Sequence, residues 1–266
     1  MLQLKPLSVI VLREFKRFFR QKGRLWSSLA RPLFWLFIVG PGFDRLLGGE
    51  GGVSYQQFLF PGVLGIVVLF GAILSSLSTV YDREFGVVRI MLIAPVSRLT
   101  LVLGKVLGGT LLAVFQALLL LILVPFLKLP VGPLQLSLLL FFLLLTSFAI
   151  ASLGMLMATR IDSLENFATI MNFVVFPMFF LSGGLYPVKL LPDLLQIPVY
   201  LNPLTYGIDL FKHVLLPHAA LTPLEADLPI LVDLMVLSVF SVAMLLAATA
   251  LFDKEAKLVR LSRGGI

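Results

Sequence analysis

Five stretches of this chain contain no charged residue at all: 51–81, 106–127, 129–159, 166–188 and 234–252. An α-helix needs about 20 mostly apolar residues to cross the hydrocarbon core of a bilayer. Each run is long enough for one crossing and too short for two joined by a turn. A sixth stretch, LWSSLARPLFWLFIVGPGF at 25–43, is broken only by Arg31, which lies near one end and can reach the headgroups along its own stem. The reading is an all-α polytopic membrane protein of a single domain over 1–266, with spans at about 25–47, 57–80, 103–127, 134–158, 166–186 and 229–252.

Composition agrees. The chain is 59% hydrophobic and 13% charged, with a mean hydropathy of +1.04, against about 45–50% and 25% in soluble domains. A membrane β-barrel would alternate apolar and polar residues over about ten positions; runs such as LLAVFQALLLLILVPFL (111–127) do not. Cysteine is absent, which removes disulfides, thiol nucleophiles and thiolate metal sites together. Arg13, Lys16, Arg17 and Arg20 interrupt any cleavable signal sequence, so the N-terminus is expected to stay on the mature protein.

Orientation follows from the basic residues of the connecting segments. With six spans, all 21 Lys and Arg fall on the side holding both termini except Arg45, Lys128, Lys189 and Lys212. Both termini are therefore expected in the cytoplasm of a cell bounded by this plasma (inner) membrane. The same asymmetry accounts for the net charge of +7, so the basic balance does not indicate nucleic acid. Residues 5–24, KPLSVIVLREFKRFFRQKGR, place Leu7, Val11, Phe15 and Phe18 on one helical face and the basic residues on the other. Such a helix lies in the cytoplasmic interface, greasy face in lipid. It serves either as a topogenic basic tail or, in addition, as a contact for a cytoplasmic partner.

The central parts of the spans hold no ionisable residue, so an ion-coupled transporter would have nothing with which to bind its driving ion. His213 and His218 sit in the outer segment without a metal-binding motif. No GxSxG elbow and no GxxxxGK[ST] phosphate loop occurs. In GKVLGG (104–109), Gly104 and Gly108 suit close helix packing instead. No cofactor is expected on this chain, and any energy for uphill transport has to arrive from outside the membrane.

One segment breaks the pattern: YDREFGVVRIMLIAPVSR, 81–98, charged and amphipathic between two spans. A helix there places Phe85, Val88 and Met91 on one side, Ala94–Pro95 turns the chain, and Ser97 caps the next helix. Asp82, Arg83, Glu84, Gly86, Pro95, Ser97, Arg98, Gly104 and Lys105 resemble the signature of type-2 ATP-binding-cassette export permeases. FLSGGLYPVKLLPDLLQIPVYLNPLTYGIDLFK (180–212) is similar to a second signature of such families, "SG-x-x-[FY]-P" followed by "NP-x-[TS]-Y".

The resemblance implies the membrane subunit of a two-part pump, with ATP and magnesium on a separate cytoplasmic ATPase. The segment 81–99 would be its coupling helix: Asp82, Arg83 and Glu84 for polar contacts or bracing, Phe85 with Val88 as an apolar plug, and Gly86 within the same contact segment. The turn at 159–165, with Arg160 and Glu165, would be a smaller second contact. Residues 187–217, broken by Pro187, Pro192, Pro198 and Pro203, would be a re-entrant outer hairpin, either a gate or a fixed lid. A second copy or a homologue would complete the path. Ser75, Gln116, Asn172, Phe176 and Phe180 are candidate lining residues, or else interhelical hydrogen-bonding and packing groups. The implied activity is export of a drug, lipid or lipid-linked saccharide. A non-transporting scaffold that docks a cytoplasmic partner is the alternative, and a stand-alone facilitator a third.

Overall fold

A computed structural model of the chain describes residues 3–20, 23, 30, 32–47, 54–216 and 226–261, and of their side chains all but those of 44–47, 89, 92, 93 and 253–261. The described residues are helical with short connections. In order they form α1 (Leu4–Arg20), a π-helical turn (Trp35–Val39) leading into α2 (Gly40–Leu47), α3 (Tyr55–Ser75), α4 (Leu77–Glu84), α5 (Val87–Ile93) and α6 (Arg98–Leu120). Then follow α7 (Pro133–Ala158), α8 (Leu164–Phe180), α9 (Asp193–Leu201), α10 (Pro203–Leu215) and α11 (Ile230–Leu261).

Among the described residues, four helices are long and apolar enough to cross a membrane: Tyr55–Glu84, Arg98–Leu123, Pro133–Ala158 and Ile230–Phe252. Two shorter apolar helices, Pro32–Phe43 and Leu164–Phe180, stand where the first and fifth crossings are expected. Part of the first, including Arg31, lies outside the described residues. The fifth is shorter than its expected 166–186. At Leu181 the helix stops and Ser182-Gly183-Gly184 folds back into the bundle, Gly183 taking a φ of 69°.

Local chemistry sets the starts. The Ser54 hydroxyl accepts the Gln57 amide while the Gln57 side chain accepts the Ser54 amide, a reciprocal cap on α3. Ser97 and Ser163 accept from Thr100 and Asn166 at the heads of α6 and α8. Asn202 accepts from Leu204 at the head of α10.

α3 is the axis. Phe58 through Ile73 are buried without interruption, because α6, α7, α8 and α10 all pack on it. α10 is likewise buried along nearly its whole length. It packs on α3 at Gly65, against Ile208, while Gly62 of α3 touches the backbone of Gly184 in the turn after α8, so that a single methyl there would land on main chain. α11 runs along α7 and stays mostly on the outside. α8 buries one stripe, Phe167, Met171, Val175 and Phe179, at four-residue spacing, and leaves Phe173, Phe176 and Phe180 uncovered.

The N-terminal helix does not lie apart. α1 crosses α6 where Ile10 sits on Gly104 and Glu14 on Gly108, the close packing expected of those glycines. The greasy face expected toward lipid is turned differently: Phe18 is buried in the bundle, while Leu4, Val9, Leu12 and Phe19 are exposed.

Candidate functional site

The charged residues of 81–98 are mostly engaged inside the protein. α4 continues α3 for two turns, and Asp82 at its end is 4% exposed. Its carboxylate pairs with Lys105 of α6 at 2.5 Å and with Arg13 of α1 at 2.6 Å, and Arg17 stands at 3.4 Å. Lys105 also pairs with Glu14 at 2.9 Å and donates to Ser78. Three elements distant in sequence are thereby tied by opposite charges. Asp82, Glu14 and Lys105 are shielded from solvent, where such pairs interact most strongly, while Arg13 and Arg17 reach in from the surface. For Glu14, burial pushes the carboxyl up, but Lys105, with Ser78 and Arg13, outweighs burial and holds it below the ordinary carboxylate value.

The next two residues reach the other way. Arg83 donates to the carbonyls of Thr159 at 3.0 Å and Ile161 at 3.3 Å, and meets Asp162 at 3.3 Å. Glu84 accepts the Leu164 amide at 2.9 Å, at the first turn of α8, where a carboxylate is favoured by the helix dipole. The expected first and second contact segments are therefore one assembly. Arg160 and Glu165 are exposed beside it.

Phe85 and Val88 do not form a joint plug. Gly86, with a φ of 73°, ends α4 and lets α5 start in a new direction. Phe85 remains on the rim, 61% exposed, its ring 4.3 Å from Tyr81, over which Arg17 is stacked. Val88 is 4% exposed and faces inward, toward Ile10, Leu101 and Met155. Among the described side chains of α5, Ile90 is exposed. A wide groove of about 660 Å³ lies alongside, lined by Arg13, Lys16, Arg17 and Arg20 over Val9 and Leu12.

The candidate path residues fall into two groups. Ser75 and Gln116 lie between α3 and α6, against Gly109 and Gly71, and the Gln116 carbonyl oxygen has no hydrogen-bond partner. Asn172, Phe176 and Phe180 share the open flank of α8. Phe176 meets Phe70 edge-on, and Phe180 meets Trp35.

The profile of the ABC-2 type transporters matches residues 6–216. The chain belongs to that family. This permease is 31% identical over 212 residues to the ycf38 transport permease of Cyanophora paradoxa, covering 77% of this chain and 72% of that one. It is 31% identical over 207 residues to nodulation protein J of Rhizobium leguminosarum bv. trifolii, covering 73% and 74%. The inner membrane transport permease YadH of Escherichia coli K12 is 28% identical over 257 residues, covering 93% and 94%. Permeases of this family lack the ATPase domain and pair with ABC ATPase subunits. The buried node therefore belongs to a multi-pass ABC-2 permease subunit.

Sequence reading missed a second group. Asp209, Lys212 and His213 lie on α10, and α10 is inside the protein, so these residues meet Asp227 and Asp233 away from solvent. The i, i+3, i+4 spacing of the first three was a visible signal, but the proline-rich surroundings read as an outer surface.

Proposed function

We propose that this permease is the membrane half of an ATP-driven exporter that moves a hydrophobic or amphipathic solute out of the cytoplasm by alternating access. The chain crosses the inner membrane six times, with both termini cytoplasmic and 187–217 as a re-entrant outer hairpin. ATP and magnesium act on the partner ATPase. A second permease copy or homologue completes the path, with the open flank of α8, carrying Asn172, Phe176 and Phe180, turned toward it.

One observation carries the reading: the linkage of Asp82, Arg83 and Glu84 to three separate parts of the bundle. Asp82 holds α1 and α6, and Arg83 and Glu84 hold the junction of α7 and α8. A partner that bears on Phe85, Arg160 and Glu165 thus acts on one stiff node from which α3, α6, α7 and α8 all depart. Such a node converts a small displacement at the cytoplasmic face into a joint movement of the helices, since packed interfaces respond as units. The basic groove beside α1 faces anionic headgroups and fixes the height of the node in the membrane.

The test replaces Phe85 by Ala and Glu84 by Ala and follows insertion, co-purification of the ATPase that the wild-type chain brings down, and solute export by vesicles. The expected result is normal insertion with weakened ATPase association and export. Unchanged association and export in both variants would overturn the docking assignment. ATPase association by a wild-type chain that moves no solute would favour a scaffold.

A further inference from the structure

At the far end of α3 from Asp82, five ionisable side chains meet. α10 supplies Asp209, Lys212 and His213; the chain entering α11 supplies Asp227, and the first turn of α11 supplies Asp233. Asp209 accepts the amides of Asp227 and Leu228, each at 2.8 Å. Lys212 pairs with Asp227 at 2.9 Å and stands 3.7 Å from Asp209. The His213 Nε2 is 2.8 Å from the Leu228 carbonyl and 3.8 Å from Asp233. Asp233 is different. It is 0% exposed, and neither of its oxygens has a hydrogen-bond partner.

A carboxylate taken out of water without donors is costly, and the cost is removed by a proton, by a counter-charge or by direct ligation. Among the described groups, the carboxylates of Asp209 and Asp227 lie against the ammonium of Lys212, and Asp233 lies beside His213. Lys212 is committed to Asp227, so the charge left over sits on Asp209 and Asp233, with the imidazole between them. The donor atoms of Asp209, His213 and Asp233 all lie within 4.8 Å of one another. Ligands about 2.0–2.2 Å from one tetrahedral ion are separated by about 3.5 Å, so small side-chain rotations close the site. One nitrogen and two carboxylate oxygens suit zinc and its neighbours; calcium requires more oxygens, and magnesium favours an oxygen-only shell.

We propose that Asp209, His213 and Asp233 bind one divalent transition-metal ion of the zinc class. Nε2 ligates as the neutral imidazole, exchanging the Leu228 carbonyl for the metal, while Asp209 keeps its two amide donors as orienting contacts. The ion joins α10 to α11 and so fixes the buried outer helix to the last long one. This site depends neither on the identity of the solute nor on the ATPase.

The experiment uses the full chain in detergent, stripped with a chelator and dialysed against zinc chloride. Zinc per chain is counted by plasma mass spectrometry, and the unfolding temperature is measured with and without the ion. The expected result is one zinc per chain and a raised unfolding temperature, with no such rise from calcium or magnesium. Asp233→Asn and His213→Gln each lose the zinc and the temperature rise. Asp233→Asn removes the unpartnered charge at constant shape, so its metal-free form unfolds no earlier than wild type. Should one variant fail to fold, the other and the wild-type stoichiometry decide. A wild-type chain that holds no zinc, variants that bind it as wild type does, or an equal response to magnesium would each overturn the assignment.

Discussion

Lys105→Met is the sharpest probe of the Asp82 node. The Lys105 side chain is 8% exposed and stands 2.5 Å from Asp82 and 2.9 Å from Glu14, each 5% exposed. Methionine retains most of the stem and its packing but removes the charge between the two carboxylates. Removing one partner of a buried ion pair costs about 3–5 kcal/mol. Arg13 still reaches both acids, at 2.6 Å and 3.2 Å, so the expected loss is at the low end, about 3 kcal/mol. Unfolding in detergent followed by circular dichroism measures it. Lys16→Met, on the exposed face of the same α1, serves as the control and changes stability by no more than about 0.5 kcal/mol.

The pH dependence supplies a second readout. Glu14 has a folded pKa held below its unfolded value, so its contribution is complete above the unfolded pKa and is lost as pH falls through the folded one. In Lys105→Met the main lowering influence is gone, so the share of stability that Glu14 gives up on acidification is smaller than in wild type. The double variant Lys105→Met with Glu14→Gln recovers part of the loss, because the stranded carboxylate is gone too. A Lys105→Met chain as stable as Lys16→Met, with an unchanged acid profile, would refute the buried network.

Two further substitutions test the half of the bundle away from Asp82. Gly184→Ala, at the contact with Gly62, forces the backbones of the turn and α3 apart and is expected to cost about 1–3 kcal/mol in the same unfolding assay; wild-type stability would refute the close approach. Asn202→Ala removes the cap on α10 and two donations, to the Met178 and Leu181 carbonyls at 2.6 Å and 2.8 Å. It is expected to cost about 2 kcal/mol or more, combining a cap with buried carbonyls left unpaired.

Helical periodicity, caps and uncharged run lengths are local properties, so much of the architecture was legible before any coordinates. Ser97 at a helix start, the Ala94–Pro95 turn and the Gly104/Gly108 seam were read from neighbours in sequence and occur as expected. The structure departs from the sequence pattern where a sharp turn or a contact between distant residues intervenes. Phe85 and Val88 share a face only if one helix runs through both, and a single left-handed glycine at Gly86 separates them. The segment 182–186 reads as the tail of a span, yet it turns back because Gly62 and Gly184 allow two backbones to touch.

The sequence alone determined that this chain lives in a bilayer as helices and to which transporter family it belongs, because apolar length and short motifs are written in consecutive residues. Tertiary structure alone decided which charges face each other. Asp82 finds Arg13 and Lys105, and Asp233 finds His213, only once helices far apart in the chain are brought side by side. The strength of such pairs depends on distance and exclusion of water, neither of which a linear string of residues contains.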